Sequence, residues 1–195
     1  MKKNALVQSI SFLFWMTVLT GVLYPAFITL AAQLAFHDKA NGSLLVVGGE
    51  VRGSRLLAQD FSGGPWFLAR PSSAGWETVP SGASNLAVTN PDFAKEVAAN
   101  ATAWAAAAPG KPMPPDMATS SGSGLDPDIS LDAALDQLDR IAAARGLDGE
   151  AKAALEARIR ASAAASETLL GPPRVNVVEL NADLAKMAPP PSGGK

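Results

Sequence analysis

The longest apolar run in the chain lies at its start. No Lys, Arg, Asp or Glu occurs between Asn4 and His37, and residues 5–36 read ALVQSISFLFWMTVLTGVLYPAFITLAAQLAF. As one helix this stretch measures about 48 Å, whereas a hydrocarbon core needs only ~20 residues. The pattern predicts a span that tilts and projects beyond the bilayer. Trp15 and Tyr24 suit the interfaces. Pro25 removes a backbone donor and is expected to kink the outer half. A cleaved signal peptide would have a shorter apolar core and an A-x-A-like site. Neither Leu30-Ala31-Ala32 nor Gln33-Leu34-Ala35 forms one, so the helix is expected to be retained. One helix cannot line an ion path. Gln8, Ser9, Ser11, Thr17 and Thr20 read as surface-facing or helix–helix contacts.

Beyond the span the periodicity shortens and then lengthens. Ser43 to Val47 is β-prone, Gly48-Gly49 suits a two-residue turn, and Glu50-Val51-Arg52 returns, which predicts a hairpin. Pro65 to Arg70 is expected to be a strand after the Ser62-Gly63-Gly64 turn, and 71–90 reads as loop. Asn90-Pro91-Asp92 starts a helix, with Phe93, Val97, Ala101 and Trp104 on one stripe. Ser130 caps a helix over 131–145 that Gly146 ends, and Asp148 precedes another through about Thr168. Arg174 to Asn181 (RVNVVELN) is predicted to be a strand in the same small sheet. Early strands, central helices and a returning strand give an α+β class. The expected organisation is a cytoplasmic N-terminus and transmembrane helix over 1–36, an extracytoplasmic domain over 37–187, and a flexible Pro- and Gly-rich tail over 188–195.

Charge sharpens this picture. With Lys2 and Lys3 set aside from the 16 basic residues, 14 face 18 acids, so the domain is mildly acidic and lacks the basic stripe that nucleic acid requires. Lys2, Lys3 and the terminal amine flank one end of the span, while Lys39, Arg52 and Arg55 follow the other. The first flank usually dominates, favouring an N-terminus inside and a domain outside. There is no cysteine, which removes disulfides, thiolates and Cys-type zinc sites.

Candidate chemistry is sparse. Asp126, Asp128 and Asp132 in LDPDISLD superficially resemble a calcium loop, but Leu131 and Gln137 stand where an EF-hand needs Gly and Glu. Acids in a helix's first turn explain them. His37 is the only histidine and abuts the span, so no His-based triad or metal set can be assembled. Ser62-Gly63-Gly64 shares three residues with the transporter-ATPase signature LSGGQ, which a turn explains equally. The run from Ser120 to Gly124 offers backbone N–H groups to an anion, or forms a tight surface loop.

The loops taken together carry a resemblance. Gly53-Ser54-Arg55-Leu56-Leu57-Ala58-Gln59, then Arg70-Pro71-Ser72, Ser84-Asn85-Leu86, Asn90-Pro91, TSSGSGLDPDIS over 119–130 and RVNVVELN follow a single N-terminal span. In this order they resemble the C subunit of the Kdp-type potassium-transporting ATPase, over nearly the whole chain. SGSGLDP with a downstream RVNV-x-ELN is the specific part. Leu68-Ala69, where a Gly beside Arg70 is expected, and the Pro-rich tail depart from the pattern.

The resemblance implies a single-pass inner-membrane protein with a periplasmic domain. It implies an accessory subunit of an ATP-driven potassium uptake complex, without catalytic or metal-binding residues of its own. Its implied partners are a channel-like potassium subunit, a P-type ATP-hydrolysing subunit and a small membrane peptide. The family role is assembly and catalytic chaperoning of ATP use, and ATP is the family's proposed ligand, carried over here to Gln59. An extracytoplasmic Gln59 cannot meet cytoplasmic ATP, so coupling through helix packing against the channel subunit fits this sequence better. Ser121, Gly122, Ser123, Gly124, Asp126, Arg174, Asn176 and Asn181 are expected to serve architecture or partner contact, with Arg174 able to pair with Asp126. The competing readings are a membrane-tethered extracytoplasmic enzyme, for which no nucleophile–base–orienter set exists, and a solute-binding domain.

Overall fold

The computed structural model describes residues 4–168 and 171–187, so the tail expected over 188–195 lies outside the described residues. The chain divides into two compact units, Met1–Leu44 and Leu45–Lys195.

The first unit is dominated by one continuous apolar helix, Ala5–Ala35, with mean hydropathy 1.8 and no residue buried. It comprises α1 (Ala5–Val18), a π-helical segment (Leu19–Leu23) and α2 (Tyr24–Ala35). Pro25 lies in the first turn of α2. The carbonyl four residues before it belongs to Gly21, inside the π segment, so the widened turn falls where the proline ring crowds the helix and withholds a donor. Phe36 leaves helical geometry at φ −140°, and the short α3 (His37–Ala40) follows. Asn41 then folds back on the helix end. Its amide exchanges hydrogen bonds with the Gln33 amide at 3.1 and 3.2 Å, and Ser43 N–H donates to the Asp38 carbonyl at 2.9 Å.

The hairpin of β1 (Leu44–Val47) and β2 (Glu50–Ser54) belongs, but for Leu44, to the second unit. Gly48 and Gly49 take φ of 63° and 85°, the pair of positive angles that a two-residue turn matching strand twist requires. The long helix α4 (Pro91–Ala107) is capped by Asn90, whose side chain accepts from Asp92 N–H, and buries Trp104 and Ala107. A short α5 (Pro115–Ala118) leads toward β3 (Asp128–Ser130). The helix expected over 131–145 runs as α6 (Leu131–Asp136) and α7 (Leu138–Arg145), separated at Gln137 and ended by Gly146 in the left-handed region. Asp148 caps α8 (Gly149–Ser166) by accepting from Ala151 N–H.

Two strand expectations fail. Pro65 to Arg70 is not a strand but an irregular segment with Phe67 fully buried. RVNVVELN is a strand only over β4 (Arg174–Asn176), after which α9 (Val177–Met187) begins. The Asn176 carboxamide oxygen accepts the Glu179 N–H at 3.0 Å, which is a helix cap, and capping overrides the β-prone valines. β4 pairs antiparallel with β3, placing Asp128 opposite Asn176 and Ile129 opposite Val175. The described strands therefore form two separate two-stranded ribbons. Ile129, Ile141, Leu155, Ile159, Val175, Val177 and Leu184 make one core beneath the second ribbon, with Phe67 inserted among them.

Candidate functional site

Irregular backbone must place its polar groups somewhere, and here side chains from distant segments receive them. Phe67 N–H donates to the Asn181 carboxamide oxygen at 2.9 Å, and Asn181 Nδ2 donates back to the Phe67 carbonyl at 2.9 Å. Leu68 N–H donates to Gln137 Oε1 at 2.8 Å, and Gln137 Nε2 donates to the Ala133 carbonyl at 3.1 Å. Gln137 and Asn181 are almost wholly buried. Two amides thus replace the neighbouring strand that 65–70 lacks. Both occupy apolar stripes, Gln137 beside Ala134 and Ile141, and Asn181 beside Val177 and Leu184. Asn181 was expected from its place in RVNVVELN; a lone amide in the apolar stripe of a helix is the sequence signal that would have found Gln137.

The segments that carry the family resemblance meet around Gly124. The Ser72 hydroxyl donates to the Gly124 carbonyl at 2.6 Å and accepts from Ala74 and Trp76 N–H groups at 3.2 and 3.0 Å. Ser121 N–H donates to the Pro71 carbonyl at 3.2 Å, and Gly124 N–H to the Ser121 carbonyl at 3.2 Å. Ser123 at the exposed tip accepts from Leu125 N–H at 3.1 Å, beside exposed Gly122. Ser120 N–H donates to Glu96 Oε1 at 3.3 Å. These donors are turned inward, so the run is a tight loop rather than an anion cradle. Gly124 has φ +70°, and a Cβ there would stand 2.7 Å from the Gly82 carbonyl oxygen.

Asp126 binds Arg70, not Arg174. The Arg70 guanidinium donates through Nη1 to Asp126 Oδ2 at 2.9 Å and through Nε to the Asp116 carbonyl at 3.2 Å. Asp126 Oδ1 also accepts the Asp128 N–H at 3.1 Å. Asp116 in turn accepts from Ser130 N–H and its hydroxyl at 2.7 and 3.0 Å, fixing the α6 cap. Arg174 is exposed and stands opposite Ser130 in the ladder, while Asp128 faces Asn176 and Asp126 lies before β3 begins. Burial pushes the Asp128 carboxyl above its ordinary value, and the Asp126 charge adds to this. Arg174 and the Asn176 amide oppose it. Asn176 Nδ2 donates to the Arg55 carbonyl at 2.8 Å, tying β4 to the segment after the hairpin.

The Ser62-Gly63-Gly64 turn serves a cation. Arg140 donates to the carbonyls of Gly63, Gly64, Trp66 and Ala107 at 3.3, 2.6, 2.9 and 2.8 Å. The turn therefore offers its oxygens to a partly buried guanidinium, opposite in polarity to a phosphate site. Gln59 Nε2 donates to the Arg52 carbonyl at 2.8 Å and would overlap any Cβ at Gly53. It edges a groove of about 420 Å³ lined by Leu45, Val47, Phe61, Trp66 and Val178, with Arg52 at its rim. Arg52 pairs with Glu50 at 2.7 Å. A nucleoside triphosphate needs several aligned N–H donors and cations, and these residues do not fit one. Among the described residues no group of three or more His, Cys, Asp or Glu is arranged to hold a metal ion.

The loops that lock together are those on which the resemblance rests, and comparison with known proteins covers nearly the whole chain. Residues 6–186 match the family described as "K+-transporting ATPase, c chain". A Pseudomonas entomophila protein called potassium-transporting ATPase KdpC subunit is 45% identical over 182 residues, covering 93% of this chain and 94% of its own. Proteins of the same name from Pseudomonas syringae pv. tomato and Rhodospirillum rubrum are 46% and 47% identical, covering 96% and 89% of this chain and 96% and 91% of their own. With one apolar span, an α+β domain and a full-length match, this chain belongs to the KdpC family, the c chain of the K+-transporting ATPase.

Proposed function

We propose that this subunit acts as a non-catalytic scaffold and catalytic chaperone within an ATP-driven potassium uptake complex. It is anchored by Ala5–Ala35 in the inner membrane, with its N-terminus cytoplasmic and its domain periplasmic. Its partners are a channel-like potassium subunit, a P-type ATP-hydrolysing subunit and a small membrane peptide. The observation that carries this reading is the closure of the family-specific loops on one another. Asp126 is spent on Arg70, Ser72 and Ser121 on backbone groups, and Asn176 and Asn181 on distant segments. None stands ready as a nucleophile beside a base. Such an element influences ATP use by holding the assembly in its competent geometry, a coupling between distinct sites.

For Gln59 the geometry supports a clip that fastens β2, rather than a contact to ATP. The test is an Asp126→Ala, Gln59→Ala comparison in purified complexes, scored as potassium-stimulated ATPase rate per assembled complex. The scaffold role expects less assembled Asp126→Ala complex with near-normal turnover per complex. It expects Gln59→Ala to leave the ATP concentration dependence unchanged. Full assembly with abolished turnover defeats the scaffold role, and an ATP requirement raised by Gln59→Ala restores a nucleotide contact. A reporter fused after Lys195 reads the topology: a cytoplasmic signal reverses it.

A further inference from the structure

The hairpin carries apolar side chains on both faces, and only one face is covered. Along β1, Leu45 and Val47 are half-buried and line the groove beside Trp66, whereas Leu44 and Val46 are 42% and 57% exposed. The two-residue turn sets Val46 across from Val51, which is 60% exposed. Leu56 and Leu57 follow at 58% and 37%. Five large aliphatic side chains thus crowd into 14 residues, 44–57, outside the core. A two-stranded ribbon is marginal alone, and an apolar patch of this density on a soluble surface marks a contact.

Chain continuity says with what. β1 begins nine residues after α2 ends at Ala35, a tether of at most about 32 Å even if fully extended. The tether is not extended. Asn41 is bonded to Gln33 and to the His37 carbonyl, and Ser43 to Asp38, so Leu44 stands at the foot of the span within the same compact unit. Exposed Leu34 and Phe36 precede it on that foot.

We propose that the outer face of the hairpin, Leu44, Val46 and Val51 with Leu56, rests in the boundary between lipid headgroups and acyl chains. It would act as a second, shallow membrane contact of the chain. Branched aliphatics enter that boundary, while Lys39 keeps its charge at headgroup level on a long stem. This rests on the reading of Ala5–Ala35 as membrane-spanning.

The absence of cysteine permits single-site labelling of the full chain. Nitroxides attached to Val46→Cys, Val51→Cys, Leu13→Cys and Val88→Cys in phosphatidylethanolamine–phosphatidylglycerol bilayers are read by collision with oxygen and with a water-soluble nickel chelate. Val88, 81% exposed on the 71–90 loop, supplies the aqueous reference. Val46 and Val51 are expected to show oxygen-to-nickel ratios several-fold above Val88, approaching Leu13. An aqueous signal at both hairpin sites with a lipid signal at Leu13 overturns the proposal alone. An aqueous signal at Leu13 overturns the spanning helix itself. Shielding of the hairpin from both reagents, in the assembled complex, overturns the proposal in favour of a protein partner on that face.

Discussion

Gly124 holds a position that no other residue fits. Its φ is in the left-handed region, and the space above its Cα is occupied by the Gly82 carbonyl oxygen and Ser72. Gly124→Ala is therefore expected to destabilise the domain by at least about 2 kcal/mol, from the backbone conformation and the clash together. Denaturant unfolding of the full chain in detergent measures this, and Gly122→Ala, exposed at the tip, supplies a near-neutral control. Asp128 differs in that its cost depends on pH. Its carboxyl is held above the ordinary value of 3.8, so the unfolded chain gives up that proton more readily than the folded one. The contribution is favourable at pH below 3.8 and is lost as pH rises through the folded-state value. Asp128→Asn should accordingly raise stability at neutral pH and leave it unchanged near pH 3, read from paired unfolding curves. Asp183 runs the other way. Burial pushes it up, but the hydrogen bond and charge of Arg158, with Lys186, outweigh this and hold it low. Its contribution is present above 3.8 and fades as the solution is acidified through its lowered folded-state value.

Helices were legible wherever a cap and a period coincided. Asn90, Ser130 and Asp148 each cap the helix expected of them, and Gly146 ends α7 in the left-handed region. Strands were less legible: Gly48-Gly49 announces the hairpin and Arg174 to Asn176 is the strand expected there, but the Ser62-Gly63-Gly64 turn is followed by none. Pro65 to Arg70 misled because a turn followed by apolar residues does not say which groups receive the backbone hydrogen bonds. β3 was hidden inside LDPDISLD, where Asp126 and Asp132 flank a three-residue pairing that itself starts on an acid, Asp128. The partner of Asp126 was equally hidden, since Arg70 lies 56 residues away. The irregular 65–70 segment depends on two amides, and that dependence is measurable. Asn181→Ala leaves both polar groups of buried Phe67 without a partner, at about 1–3 kcal/mol each. Hydrogen exchange at Phe67 and Leu68 should accelerate in that variant, whereas Asn176→Ala should loosen the start of α9 and leave those two amides protected.

At the scale of the molecule, a membrane helix precedes a domain whose closing contacts join its two ends. Phe67 meets Asn181 across 114 positions, Arg55 meets Asn176 across 121, and Arg145 reaches Pro65 across 80. Stability is therefore concentrated in pairings of long separation, with α9 filling the core through Val177, Leu180 and Leu184. Such an arrangement has consequences for biogenesis. A chain made from the N-terminus onward exposes Phe67 and the hairpin long before α9 arrives, and distant pairings close slowly. The domain must therefore wait, incomplete and adhesive, until nearly its last residues have emerged. Truncation after Asn176 should leave a membrane-inserted product whose domain is cut rapidly by added protease, while removal of residues 188–195 should leave it resistant. A resistant core in the shorter product would show that folding proceeds without α9.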